Sequence, residues 1–241
     1  MRECPSDVPD IVAHRGLHVE YPENSIGAMK AAWKAGFQWA ECDIHLSADK
    51  EFVVLHDEKL DRTTTGRGVV SQFAWSELQS LSLRGPAGKP TSEKLPLLGQ
   101  LLEAMPASAG LLVEVKAVFS RRDVERLLEL LKPHRFILQS FNLENIKLIH
   151  ECNPRIAIAF LVDDAAKLIK EEQIKSIPGA SINANFKSLD VSGVRQLHDA
   201  GKWAGAWTVN SEGDIRRMLG INVDTIITDE PARVARLMSG V

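Results

Sequence analysis

The chain has 241 residues, 44% of them hydrophobic and 25% charged, with a formal net charge of −3. That length suits one large α/β barrel. The charge balance excludes the strong basic field that nucleic acid or an anionic membrane surface would require.

The three cysteines, Cys4, Cys42 and Cys152, are widely spaced and suggest neither a disulfide framework nor a zinc knuckle. The N-terminus, MRECPSDVPD, has no apolar core of a secretory signal. Runs such as AGLLVEV (109–115) are too short to span a bilayer. The expectation is a soluble, cytoplasmic protein with no nucleic-acid partner and no stable membrane association.

In chain order, the first apolar run is DIVAH (10–14), leading into His14-Arg15-Gly16. Asn24 precedes SIGAMKAAWKAG and is expected to cap a helix that stops at Gly36. The run QWAECDIHL (38–46) puts Glu41, Asp43 and His45 on one parity of a strand, with Cys42 on the other as a packing residue. After the turn-like SADK, the run EFVVLHD (51–57) is read as the return strand of a hairpin carrying His56-Asp57. Residues 58–109, with GPAGKP at 85–90, are expected to form a loop-rich insertion with short helices near 75–81 and 97–104, used as a lid or cleft wall. Its apolar residues Phe73, Trp75, Leu78, Leu81 and Leu83 are expected to pack down rather than face lipid.

The run GLLVEVK (110–116) sets Glu114 and Lys116 on one face. Val124, Leu127, Leu128 and Leu131 make a helical stripe, and Leu143, Ile146, Lys147 and His150 a mixed one, with Ile149 adding apolar area. Between and beyond them lie RFILQSF (135–141), RIAIAFLV (155–162), GASINAN (179–185), KWAGAWTVN (202–210) and VDTIITD (223–229). The pairs Arg121-Arg122 and Arg216-Arg217 are assigned to solvated helix faces. Near-continuous apolar strands alternating with helices imply a parallel sheet covered on both faces. The eight β/α units favour a closed (β/α)8 TIM barrel, an α/β fold with the inserted segment 58–109 in a single domain, over an open doubly wound sheet.

In such a barrel the working residues sit at the C-terminal strand ends. Three carboxylates, Glu41, Asp43 and Glu114, come from strands expected to be adjacent. An all-oxygen set suits a hard cation, Mg2+ or Ca2+. A buried ion network with Arg15 and Lys116 is the competing reading of the same residues. Arg15 and Lys116 match the anionic oxygens of a phosphoryl group, while His14 and His56 have the chemistry of an acid–base pair. His18, His134, His150 and His198 are read as structural hydrogen bonders, and His45 as a neighbour lying beyond the acids. Composition and spacing thus end at metal-dependent chemistry on a phosphate-bearing substrate.

More specific are IVAHRG, PENS at 22–25, AECDIHL, and the HD followed by LDRTTTG, joined later by VEVK (113–116), QSF (139–141), WTVN (207–210) and ITDEP (227–231). Together these resemble the glycerophosphodiester phosphodiesterase family over essentially the whole chain. The resemblance implies a (β/α)8 barrel and divalent-metal-dependent hydrolysis of a small-molecule glycerophosphodiester to glycerol 3-phosphate and an alcohol. It implies His14 and His56 as catalytic residues, Glu41, Asp43 and Glu114 as metal ligands, and Arg15 and Lys116 as phosphate binders. Asn24, Gln139, Phe141 and Trp207 would line or support the substrate pocket. Leu97 departs from the pattern, standing where the family usually has threonine. A lysophospholipase D-like or sphingomyelinase D-like enzyme is the first alternative. A non-cleaving binding protein is the second, although no expected histidine or metal ligand is missing.

Overall fold

The computed structural model describes residues 9–170 and 181–240. Cys4 and residues 179–180 of the sixth run lie outside them. The chain has the (β/α)8-barrel fold. It divides into two compact units, residues 14–136 and the remainder.

The 14–136 unit contains α1 (Ile26–Lys34), β2 (Trp39–Leu46), β3 (Phe52–Val54), α2 (Trp75–Leu78), β4 (Ser82–Arg84), β5 (Pro90–Lys94), α3 (Leu98–Glu103), β6 (Gly110–Val115) and α4 (Arg121–Leu131). The strand β2 pairs in parallel with β6, setting Glu41 opposite Leu112 and Asp43 opposite Glu114. Its far end pairs antiparallel with β3, Ile44 opposite Val54, which is the hairpin expected over 43–57. Every residue of β2 is buried. The α4 stripe holds, with Val124, Leu127 and Leu131 fully buried.

The other unit begins with β1 (Asp10–Ala13) and resumes within β7 (Arg135–Ser140). It continues through α5 (Leu143–Cys152), β8 (Ile158–Val162), α6 (Ala165–Lys170), β9 (Ser181–Asn185), α7 (Val191–Asp199), β10 (Trp203–Trp207), α8 (Glu212–Gly220), β11 (Thr225–Thr228) and α9 (Pro231–Met238). Its strands run parallel in the order β1-β11-β10-β9-β8-β7. The eight predicted runs therefore fall on β1, β2 and β6 to β11.

The structure corrects four local expectations. Asn24 does not cap α1; the cap is Ser25, whose Oγ accepts from the Ala28 N–H at 3.0 Å. The left-handed backbone of Asn24, φ 60°, turns its side chain elsewhere. The inward residues of α5 are Asn145, Ile146 and Ile149, while Lys147 points out and pairs with Glu144. Arg217 is not merely solvated: it donates to the Leu189 and Phe186 carbonyls and lies over the Phe186 ring.

The insertion, finally, is more ordered than expected. It contains the hairpin β4–β5 and, with β3, a small core of Val53, Leu55, Leu60, Val70, Leu78, Leu83 and Leu95. Phe73, Trp75, Leu81 and Leu97 pack against it, as expected of the aromatic and leucine residues there. At α3, where Leu97 has no capping side chain, Gln100 Oε1 accepts from the Leu97 N–H at 2.9 Å.

Truncating a fully buried leucine leaves a cavity that rigid surroundings only partly fill. Leu60→Ala is expected to lower stability by about 2–5 kcal/mol, read as a shift of the urea midpoint at unchanged slope.

Candidate active site

The site grows from the parity of β2. Glu41 and Asp43 are each 1% exposed, and Glu114 on β6 is 7% exposed. One oxygen from each lies within 4.8 Å of the others. Lys116, just past β6, places Nζ 3.0 Å from Asp43 Oδ1 and 2.7 Å from Glu114 Oε1. Arg15 reaches in from the loop after β1, its Nε 3.4 Å from Asp43 Oδ2, while its backbone N–H donates to Glu41 Oε2 at 3.0 Å.

That loop explains two of the sequence motifs. Arg15 (φ 54°), Gly16 (φ 78°) and Asn24 (φ 60°) are all left-handed. A Cβ on Gly16 would fall 2.6 Å from the Ala28 carbonyl carbon, so only glycine lets the turn press against α1. The loop closes on itself, the Asn24 N–H donating to the Arg15 carbonyl at 3.1 Å. Asn24 then meets Asp43 with both amide atoms: Nδ2 donates to Oδ2 at 2.8 Å and Oδ1 accepts from the Asp43 N–H at 3.2 Å. A non-glycine residue in this region costs of order 1–3 kcal/mol, a strain that the amide pair offsets.

Three buried carboxylates against two cations leave a surplus negative charge if all ionise. The protein resolves it unevenly. Burial opposes ionisation of Asp43, but Lys116, Arg15, His56 and the Asn24 amide outweigh it and hold the group well below the usual carboxylate range. Burial, then Asp43 and Glu114, push Glu41 well above it. Burial, then Asp43, raise Glu114 to about 7 despite Lys116. Asp43 Oδ1 is buried and has the Lys116 ammonium at 3.0 Å as an ion-pair partner, with a lone pair still without a directed hydrogen bond. A hard dication fits this donor set: it would supply the missing positive charge and use that lone pair.

His56, after β3, places Nδ1 2.7 Å from Asp57 Oδ1. A carboxylate only accepts, so Nδ1 carries the proton. Burial draws His56 below its ordinary value, against the attraction of Asp43 and Asp57. His45 Nε2 lies 3.0 Å from the His56 carbonyl oxygen, fixing the hairpin end. His14 stands in the loop after β1, its ring edge-on to His18 with centroids 6.4 Å apart.

Gln139, Phe141 and Trp207 belong to the other unit. There Gln139 Oε1 accepts from Asn183 Nδ2 at 2.9 Å, Trp207 Nε1 donates to the Asn183 carbonyl at 2.9 Å, and Phe141 meets Trp207 edge-to-face at 5.3 Å. A Cβ on Gly205 would sit 2.1 Å from Asn183 Oδ1, so a side chain there would displace the Asn183 amide.

Sequence reasoning gave no role to Glu23, within PENS, or to Arg62, within LDRTTTG. The structure joins them. Arg62 binds Asp57 through Nε at 2.7 Å and Nη2 at 2.8 Å, and Glu23 through Nη1 at 2.6 Å and Nη2 at 2.9 Å. Glu23 Oε1 also accepts from Arg15 Nη1 at 2.9 Å. Their place inside ordered motifs was the one available signal.

Fold and site together define a (β/α)8-barrel protein with a buried carboxylate cluster suited to a hard cation. Residues 14–233 match the model of the glycerophosphoryl diester phosphodiesterase family, and the chain belongs to that family. A glycerophosphodiester phosphodiesterase of Bacillus altitudinis is 31% identical over 242 residues, covering 94% of this chain and 97% of its own. Another, from Caldanaerobacter subterraneus subsp. tengcongensis, is 30% identical over 237 residues, covering 95% and 97%. Among solved structures, an Oleispira antarctica phosphodiesterase in complex with the product sn-glycerol-3-phosphate superposes with a TM-score of 0.88 at 26% identity, covering 96% of this chain and 97% of that one. Among the described residues, no helix is long and apolar enough to cross a membrane.

The raised Glu41 and Glu114 have a measurable consequence. Both folded pKa values exceed the unfolded ones, so the folded chain holds extra protons and their contribution to stability is lost as pH rises above the ordinary 4.5, for Glu114 toward about 7. The metal-free protein is expected to melt lower at about pH 8 than at about pH 5.5, and Glu41→Gln to flatten that slope. Thermal melts in chelator across this range check both.

Proposed function

We propose that this chain hydrolyses glycerophosphodiesters to glycerol 3-phosphate and an alcohol, with Glu41, Asp43 and Glu114 holding one divalent cation, Mg2+ or Ca2+. The observation that carries the reading is the buried cluster of three carboxylates with Arg15 and Lys116, in a member of this family. The relative bound to sn-glycerol-3-phosphate supports the substrate class. Bound there, the ion supplies Lewis acidity toward a phosphoryl oxygen.

The chain's own residues do the rest. Arg15 offers a planar fork and Lys116 a point charge to the phosphoryl oxygens, where negative charge grows as the leaving oxygen departs. His14 and His56 divide the proton transfers. One takes the proton of the attacking oxygen as its bond to phosphorus forms. The other gives a proton to the departing alkoxide as the second P–O bond breaks. His56 suits this work because Asp57 fixes its tautomer and leaves Nε2 to exchange the proton. The same scheme serves attack by water and attack by a glycerol hydroxyl through a cyclic phosphate.

Hydrolysis of a panel of glycerophosphodiesters, each tested with several divalent ions after chelation, is the direct test. His14→Ala and His56→Ala are each expected to lower kcat by about 10²–10⁴-fold with the fold retained. Activity that persists in chelator would overturn the metal assignment. Variants that turn over normally would overturn the histidine roles.

A further inference from the structure

We infer that Arg62 is a positioning residue for this reaction, fixing the His56 ring through Asp57 and the Arg15 guanidinium through Glu23. The inference rests on the roles proposed above for His56 and Arg15. Neither Arg62 nor Glu23 touches the carboxylate cluster through any contact described above, yet each binds a side chain that serves it.

The geometry is that of a double clamp. One edge of the guanidinium, Nε and Nη2, grips both oxygens of Asp57 at 2.7 and 2.8 Å. The other edge, Nη1 and Nη2, grips both oxygens of Glu23 at 2.6 and 2.9 Å. Each carboxylate passes the constraint on: Asp57 Oδ1 to His56 Nδ1 at 2.7 Å, and Glu23 Oε1 to Arg15 Nη1 at 2.9 Å. The clamp joins segments 39 residues apart, the loop before α1 and the start of the insertion.

Only a planar cation with donors along two edges makes this arrangement; a lysine ammonium has three donors radiating from one point. The Arg62 side chain is 48% exposed, and exposed ion pairs add little to folding stability. Removing it should therefore leave the fold and release two side chains whose placement matters. The charged groups around His56 are Asp57 beside it, Asp43 on β2, Arg15 in the loop after β1 and Lys116 after β6. Of these, Asp57 alone is held by Arg62 directly.

The test uses the full chain, metal-loaded, with glycerophosphocholine as substrate and a coupled assay for glycerol 3-phosphate. Arg62→Ala is expected to lower kcat by about 10–100-fold, the scale of a slightly misplaced catalytic group. It should also raise KM through the loosened Arg15, while melting like the parent. Arg62→Lys should recover only a minor part of the loss, and free guanidinium should rescue Arg62→Ala where an equal concentration of sodium chloride does not. Nitrogen-15 NMR of the His56 ring gives a readout independent of turnover: the Nδ1–H tautomer should dominate in the parent and lose that dominance in Arg62→Ala. Parent-like kinetics in Arg62→Ala, full recovery by lysine, or an unchanged tautomer would overturn the inference. Absence of turnover in the parent would instead sink the proposed function, and the tautomer comparison would then decide the His56 arm alone.

Discussion

Three carboxylates held out of water within 4.8 Å of one another are the constraint to which the surrounding structure answers. Mutual repulsion in a poorly solvated site cannot be left unbalanced. The cations that answer it come from two directions, Lys116 from the end of β6 and Arg15 from the loop after β1. Their combined charge is one short, and Glu41 and Glu114 are pushed above the usual carboxylate range. The three acids form a donor set that could hold a small, hard positive ion. The same two cations also suit an anionic ester.

Satisfying that constraint shapes the backbone as well as the side chains. Three left-handed residues, one of them a glycine that no other residue could replace without collision, fold the loop before α1 back on itself. This brings a backbone N–H to Glu41 and an amide to Asp43. Meanwhile β2 runs past the parallel pairing with β6 and turns into the antiparallel pairing with β3. Glu41, Asp43 and His56 therefore ride on one continuous ribbon, pinned where His45 meets the His56 carbonyl. Continuity of this kind keeps groups of different chemical duty in fixed relation without long-range packing.

Much of this was readable from the chain itself. Burial on both faces forces apolar runs, so the eight parallel strands announce themselves. Period-two alternation then assigns Glu41, Asp43, Glu114 and Lys116 to their faces. Other features leave no such trace. The residues of β5 alternate exposed and half-buried with no apolar signal, so a surface hairpin read as loop. Asn24 and Ser25 are both good caps by type; which one caps depends on the sign of one dihedral that tertiary contacts impose. The inward face of α5 is shifted because Asn145 is buried, a polar residue that hydrophobic periodicity does not count. Arg62 and Glu23 were invisible for a related reason. Their partners lie far off in sequence, and an arginine read alone is indistinguishable from any solvated one.

The Asn24 amide also bears on chemical ageing. Asparagine is among the thermolabile residues, and its hydrolysis would turn the Nδ2 donor to Asp43 into one more acid beside the cluster. A single deamidation, invisible to most measures of fold, would thus convert a supporting contact into a repulsive one. Its 2% exposure and its bonds at both ends shield the amide on which that contact depends.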